Sequence, residues 1–258
     1  MYLGRLESER KSKPINGNKS VWRYMDHHKF EKLLETGLWF SNAKKFTDKY
    51  ELSFPEAVIK RKREEFEKEG LEGKEVDQKL AAHFYERGLQ NEDVLVNCWS
   101  VNRYESYALW KIYINESGKD DKQRGVAIKT TAGKLRRAIE NGKDPYPEEF
   151  FMEEVEYRTY LAEEDTTKGN LVITKRPFYK YEDELRLFIF AEKPEGSGAG
   201  LPYELAEGRN VRVDTSLLIS EIFLSPFSAP SYRAEVERLA GKNGLGEVPV
   251  KDSKILDV

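Results

Sequence analysis

KYEDELRLFIF (Lys180–Phe190) sets three consecutive acids ahead of an apolar run. Strand residues i and i+2 share a face. Leu187 and Ile189 therefore point one way and Phe188 and Phe190 the other, which predicts a strand over 185–191 buried on both faces. The same alternation puts Glu182, Glu184 and Arg186 on one face at the mouth of that strand.

Further strands are predicted at 21–24, 38–40, 94–100, 125–130 and 155–160, within 203–214 and 217–224, and as a last extended piece over 248–256. Residues 171–174 read as a strand or a short helix. Asp26 is a natural N-cap for a helix carrying Phe30, Leu33 and Leu34 on one face and ended by Gly37. More helices are expected over 104–113, 131–141 and 231–240. Strands mix with helices without regular βαβ alternation, which argues for an α+β fold. The expectation is mixed, mostly antiparallel sheets around a central cleft, with residues 21–258 as one domain. Residues 1–20 read as a flexible arm and 194–200 as a turn. Residues 55–92 read as a charged insertion of two helices punctuated by Gly70 and Gly73, a surface for a partner protein.

With 258 residues the chain has ample length for a core. Charged residues make up 34 % and the net charge is −3, so bulk charge does not suggest non-specific nucleic-acid binding, although local basic patches are compatible with it. Cys98 is the one cysteine, which suits a reducing compartment and a cytoplasmic protein. No apolar run is long enough for a membrane span. Three His and one Cys speak against structural zinc, and no metal is expected. Gly-rich phosphate loops, H-E-x-x-H, paired C-x-x-C and G-x-S-x-G are all missing from the sequence.

Glu182 and Glu184 repel unless a cation intervenes, and Arg186 can supply one. Such a pair binds a ribose hydroxyl or stabilises positive charge on a sugar carbon; in a bare strand end it makes cross-strand ion pairs. Arg23, between Trp22 and Tyr24, can clamp a phosphate with its planar fork; otherwise it is an exposed strand arginine. Ser100 can orient a side chain or a ligand hydroxyl. Cys98 alternates with Trp99 and reads as a core residue. Asp48 caps a helix or holds a ligand hydroxyl. Tyr104, Tyr107, Trp110 and Tyr113 form an aromatic helix face that packs in the core or, in a cleft, stacks on a base or nicotinamide ring.

In order, WRY (22–24), GLWFSN (37–42), FTDKYE (46–51), CWS (98–100), WKIY (110–113), GVAI (125–128) and KYEDELR (180–186) resemble a bacterial and phage family classed as a domain of unknown function, family 2971. The resemblance runs from about residue 21 to the C-terminus. The order Arg23, Ser100, Glu182-x-Glu184 is also similar to that of ADP-ribosyltransferases of the arginine–serine–glutamate type, with C-W-S in place of the S-T-S of many of them. This second resemblance implies an NAD-using enzyme, a glycosyl-group transferase that acts as a toxin or anti-phage defence effector. NAD would be its substrate, and an unknown protein, nucleic-acid or small-molecule acceptor would take the ADP-ribose. It implies that Arg23 holds the NAD phosphate, with Tyr24, Ser41, Asp48, Tyr107 and Trp110 around the cofactor. It further implies that Ser100 positions Glu184, that Glu184 bonds the nicotinamide ribose and favours the oxocarbenium-like transition state, and that Glu182 assists the acceptor. Arg186 would then neutralise its neighbours. Two other readings stay open: a metal-dependent nuclease using Asp48, Glu51, Glu182 and Glu184, and a non-enzymatic ligand-sensing or regulatory domain.

Overall fold

Asp26 ends the first strand and starts the first helix. β1 (Ser20–Asp26) runs into α1 (His27–Thr36), where the Asp26 carboxylate accepts the Lys29 amide at 2.8 Å, capping an otherwise orphaned donor. Gly37 ends α1 with φ 97°, and a Cβ there would stand 2.1 Å from the Val211 carbonyl oxygen, so the turn requires glycine. β2 (Leu38–Asn42) follows, then α2 (Glu56–Lys68), α3 (Lys74–Arg87), β3 (Val94–Ser100), α4 (Tyr107–Asn115), β4 (Gly125–Thr131) and α5 (Ala132–Glu140). The rest of the chain adds β5 (Phe151–Glu154), β6 (Glu156–Tyr157), α6 (Lys168–Ile173), β7 (Thr174–Lys175) and β8 (Glu184–Phe190). Last come β9 (Gly208–Val211), α7 (Thr215–Leu218), β10 (Glu221–Leu224), α8 (Tyr232–Lys242) and β11 (Val250–Asp252). The computed structural model describes residues 15–46, 48, 50–87, 94–115, 124–142, 149–159, 168–191 and 207–256. The arm before residue 15, the 194–200 turn, and residues 88–92, 160 and 203–206 of the expected elements lie outside them.

Nine strands form one sheet in the order β11-β10-β4-β1-β3-β2-β9, with β8 on β3 and β5 on β8. Its pairings are antiparallel except β10 with β11, and a separate small sheet pairs β6 with β7 in parallel. The architecture is thus α+β with a mixed, mostly antiparallel sheet.

The centre of the sheet is split. β3 pairs with β8 along all its length, from Val94 opposite Phe190 to Ser100 opposite Glu184. A strand has two edges, so β1 and β2 must share the other one. β1 meets it at Ser100 through Trp22, and β2 meets it at Val96 and Leu95 through Ser41 and Asn42. Between these contacts, Asn97–Trp99 have no strand partner on that edge. Buried backbone groups need partners, and side chains supply them: Arg23 Nη1 donates to the Cys98 carbonyl at 2.5 Å and Asn97 Nδ2 to the Trp39 carbonyl at 2.8 Å.

Both faces of the sheet are covered. Leu95, Trp99, Leu185, Leu187 and Ile189 pack against Phe30 and Leu33 of α1, Leu135 and Ile139 of α5, and Val236 and Ala240 of α8. On the opposite face Phe188 joins Val94, Val96, Phe151, Val172 and Ile173, and α4 packs Leu109, Trp110 and Ile114 on Trp22, Tyr24 and Ala127. The expectation that β8 is buried on both faces agrees with this packing. α2 and α3 form a helical hairpin with its own small core of Phe66, Val76 and Leu80.

Several boundaries differ from expectation. Glu182 is not on the strand: it ends a 3-10 helix over Pro177–Glu182, and Asp183 turns the chain in a left-handed conformation (φ 42°) into β8. Proline at the first helical position starts that turn. Residues 15–19 are fastened rather than loose, since the Gly17 and Lys19 carbonyls accept the Gly133 and Ala132 amides and Lys19 pairs with Glu154. Thr215–Leu218 form a helical turn that overlaps the start of the expected 217–224 strand, and α4 begins at Tyr107 rather than Tyr104; at Leu171–Ile173 the helix, one of the two readings left open, is the one found.

Candidate functional site

The split in the sheet opens into a cavity of about 480 Å³, within the range of small-molecule sites. β1 contributes Trp22, Arg23 and Tyr24, and α1 contributes Lys29 and Lys32. Trp39 and Ser41 of β2, Cys98 and Ser100 of β3, and Leu109 and Tyr113 of α4 continue the wall, which is completed by Glu182 and Glu184. A cationic side and an acidic side therefore share an aromatic pocket.

Arg23 defines the cationic side. Its guanidinium lies 5.9 Å from the Trp99 ring centre and bonds the Cys98 carbonyl, and no carboxylate partners it among the described residues. Burial holds its pKa below the usual arginine value, the mark of a desolvated cation with no counter-charge. The nearby Lys29 and Lys32 pair with Asp26 and Glu35.

The acidic side rests on a buried ionic cluster. Lys175 Nζ lies 2.7 Å from Glu182, 3.1 Å from Glu51 and 3.2 Å from Glu184. Arg186, 1 % exposed, donates from Nε to Glu184 Oε1 at 2.8 Å, from Nη1 to the Val172 carbonyl at 2.6 Å and from Nη2 to Glu51. Three carboxylates thus face two cations. Burial pushes the Glu184 carboxyl up, but Arg186 and then Lys175 outweigh it and hold it at about 2. Glu182 moves the other way: burial raises its pKa more than Lys175 lowers it. The environment thus separates two neighbouring carboxyls, one kept ionised and one readier to take a proton. Burial and then Glu184 drive the Cys98 thiol well above its ordinary value, so it stays protonated.

The sequence candidates fall into two groups. Arg23, Tyr24, Ser41, Ser100, Glu182 and Glu184 line the one cavity. Ser100 sits across the ladder from Glu184, but its hydroxyl accepts from Asn102, whose Nδ2 lies at 2.8 Å. Asp48 lies apart, beside a second cavity of about 300 Å³. It pairs with Arg176 at 2.9 Å and accepts the Tyr50 amide, capping no helix. Tyr107 and Trp110 do not line the cleft. Trp110 is fully buried, edge-on to Tyr24 and bonded through Nε1 to Glu105; Tyr107 is half-exposed against Phe227. The register of α4 turns Leu109 and Tyr113, four residues apart, to the pocket instead.

Lys175 and Asn97 were not singled out from sequence. The one available signal for Lys175 was a Lys-Arg pair one residue after the apolar run Leu171–Ile173. Asn97 carried none, because its use depends on the gap between β1 and β2, both far from it in sequence.

No family model matches the chain, and neither a curated protein nor a solved structure does. Among the described residues no helix is long and apolar enough to cross a membrane.

Proposed function

We propose that the chain is an ADP-ribosyltransferase-like enzyme that binds NAD in the split of the sheet and transfers ADP-ribose to an acceptor, acting as a toxin or defence effector. The observation that carries this reading is the arrival of Arg23, Ser100, Glu182 and Glu184, from three separate parts of the chain, on one cavity. The Arg23 guanidinium, bonded to the Cys98 carbonyl but without a carboxylate partner among the described residues, suits a pyrophosphate, the aromatic wall suits a flat ring, and the carboxylates suit a ribose.

In the reaction, the bond from ribose C1′ to the nicotinamide nitrogen breaks and its electron pair leaves with nicotinamide. Positive charge develops at C1′, and the ionised Glu184 and the surplus negative charge of its cluster stabilise it. An acceptor O–H or N–H bonds to C1′ and gives its proton to Glu182, whose raised pKa suits a general base.

The nuclease reading is less favoured. Lys175 and Arg186 already occupy Glu51, Glu182 and Glu184, and Arg176 occupies Asp48, so a divalent ion would have to displace them. A purely sensory role leaves the acid pair without a task.

The test is nicotinamide release from NAD, alone and with cell extract. Wild type should release it, and Glu182→Gln should reduce release about a hundredfold while keeping the wild-type melting temperature within a few degrees. Wild-type protein that neither binds nor consumes NAD overturns the proposal.

A further inference from the structure

The lip of the cleft carries a row of exposed rings and cations that the NAD site does not use. Tyr104 is 70 % exposed, Tyr107 48 % and Tyr181 45 %. They lie on two adjoining segments: Val101 N donates to the Asp183 carbonyl at 2.7 Å and Asn102 Nδ2 to the Tyr181 carbonyl at 3.4 Å. The segment carrying Tyr104 and Tyr107 is thereby held beside the turn carrying Tyr181, immediately before Glu182.

Each part of this rim has its own cation. Arg103 lies 5.3 Å from the Tyr104 ring centre, Lys111 5.5 Å from that of Tyr107, and Lys180 sits next to Tyr181, over Tyr157. All three cations are exposed, and among the described residues none has a carboxylate partner. This sets them apart from Lys29, Lys32, Arg63 and Lys79, which are ion-paired. A protein hot spot gathers its rings into a water-excluding pocket. Here each exposed ring has beside it, in space or in sequence, an exposed cation without a carboxylate partner among the described residues, and Lys111 also lies 3.9 Å from the Phe227 ring centre, against which Tyr107 packs; rings and cations side by side can stack bases and meet phosphates along a single strand. The net charge of −3 offers no general attraction for nucleic acid, so any such binding has to be local.

We infer that this rim binds a single-stranded nucleic acid, with bases on Tyr104, Tyr107 and Tyr181 and phosphates at Arg103, Lys111 and Lys180, and that this strand is the ADP-ribose acceptor. The second half rests on the NAD reading above. In it, a base N–H or a sugar O–H gives its proton to Glu182 and bonds to C1′ as nicotinamide leaves.

The experiment is fluorescence anisotropy on the full chain without NAD, using labelled oligonucleotides of about 12 nucleotides as single-stranded DNA, single-stranded RNA and duplex DNA. At least one single strand should bind more tightly than the duplex. Tyr104→Ala with Tyr107→Ala should weaken that binding about tenfold or more. Neutralising Arg103, Lys111 and Lys180 should flatten the slope of log affinity against log salt by about 2. Binding of neither single strand, equal binding of duplex, or unaltered affinity in the ring variants overturns the inference. Nicotinamide release is measured in parallel. Release without strand binding defeats this inference and leaves the NAD reading standing. Strand binding without NAD consumption defeats the NAD reading and, with it, the acceptor half.

Discussion

Ser100 and Glu184 are direct partners across the β3–β8 ladder, yet their side chains bond elsewhere: Ser100 to Asn102, Glu184 to Arg186 and Lys175. The carboxylate is held by cations rather than by the hydroxyl. Ser100→Ala should therefore leave the fold nearly as stable as wild type, within about 2 kcal/mol, because only two part-buried hydrogen bonds, from the Asn102 amide and side chain, are lost. Thermal melts check this, and a loss of several kcal/mol would show that the hydroxyl supports Glu184 after all.

Lys175 is the cation shared by Glu51, Glu182 and Glu184. Replacing it with Met leaves three buried carboxylates facing Arg186 alone. The expected cost is about 3–5 kcal/mol, read from urea unfolding at neutral pH. Adding Glu51→Gln to that variant should recover part of the loss, since it removes one uncompensated charge.

The low pKa of Glu184 makes stability depend on pH with a definite sign. In the unfolded chain its carboxyl titrates near 4.5 and in the folded state at about 2. Its stabilisation is complete above about pH 4.5 and is lost as pH falls towards 2. Glu182 is shifted upwards and so contributes in the opposite direction, making the net loss smaller than Glu184 alone would give. Urea midpoints between pH 6 and pH 2 should fall in that window, and Glu184→Gln should flatten the fall.

Catalysis should show Glu182 separately. If it is the base, the acidic limb of the kcat profile has an apparent pKa above the ordinary carboxylate value, in line with the raised Glu182. Rates followed from pH 4 to 8 check this; a limb at or below 4.5 would assign the proton to another group.

Gly37→Ala should cost well over 1 kcal/mol, because the new methyl meets the Val211 carbonyl and the backbone stays left-handed. Gly70 also has positive φ but open space around it, so alanine there carries only the backbone strain. Comparing the two melts separates crowding from strain.

Much of the fold was legible locally. The alternation in Leu185–Phe190 gave a two-sided strand, Asp26 and Gly37 gave the ends of α1, and Gly70 and Gly73 gave the turn of the helical hairpin. The site was legible only as an order of residue types. Glu182 misled because Pro177 starts a 3-10 turn that period-two counting runs straight through. Tyr107 and Trp110 misled although Ser106 caps α4 and accepts the Leu109 amide: the cap fixes where the helix starts, while the face that meets the pocket depends on packing against β1. The split of the sheet depends on β1 and β2 meeting opposite ends of β3, and strand pairing at that separation leaves no local trace.

The buried cluster is one positive charge short. NAD brings a positive charge on its nicotinamide nitrogen, and as the bond to C1′ breaks that charge passes to the sugar. A deficit nearer the sugar than the ring is met more fully at cleavage than at binding. If NAD is the substrate, the unequal numbers of carboxylates and cations around Lys175 and Arg186 draw charge along the breaking bond rather than only holding the molecule at rest.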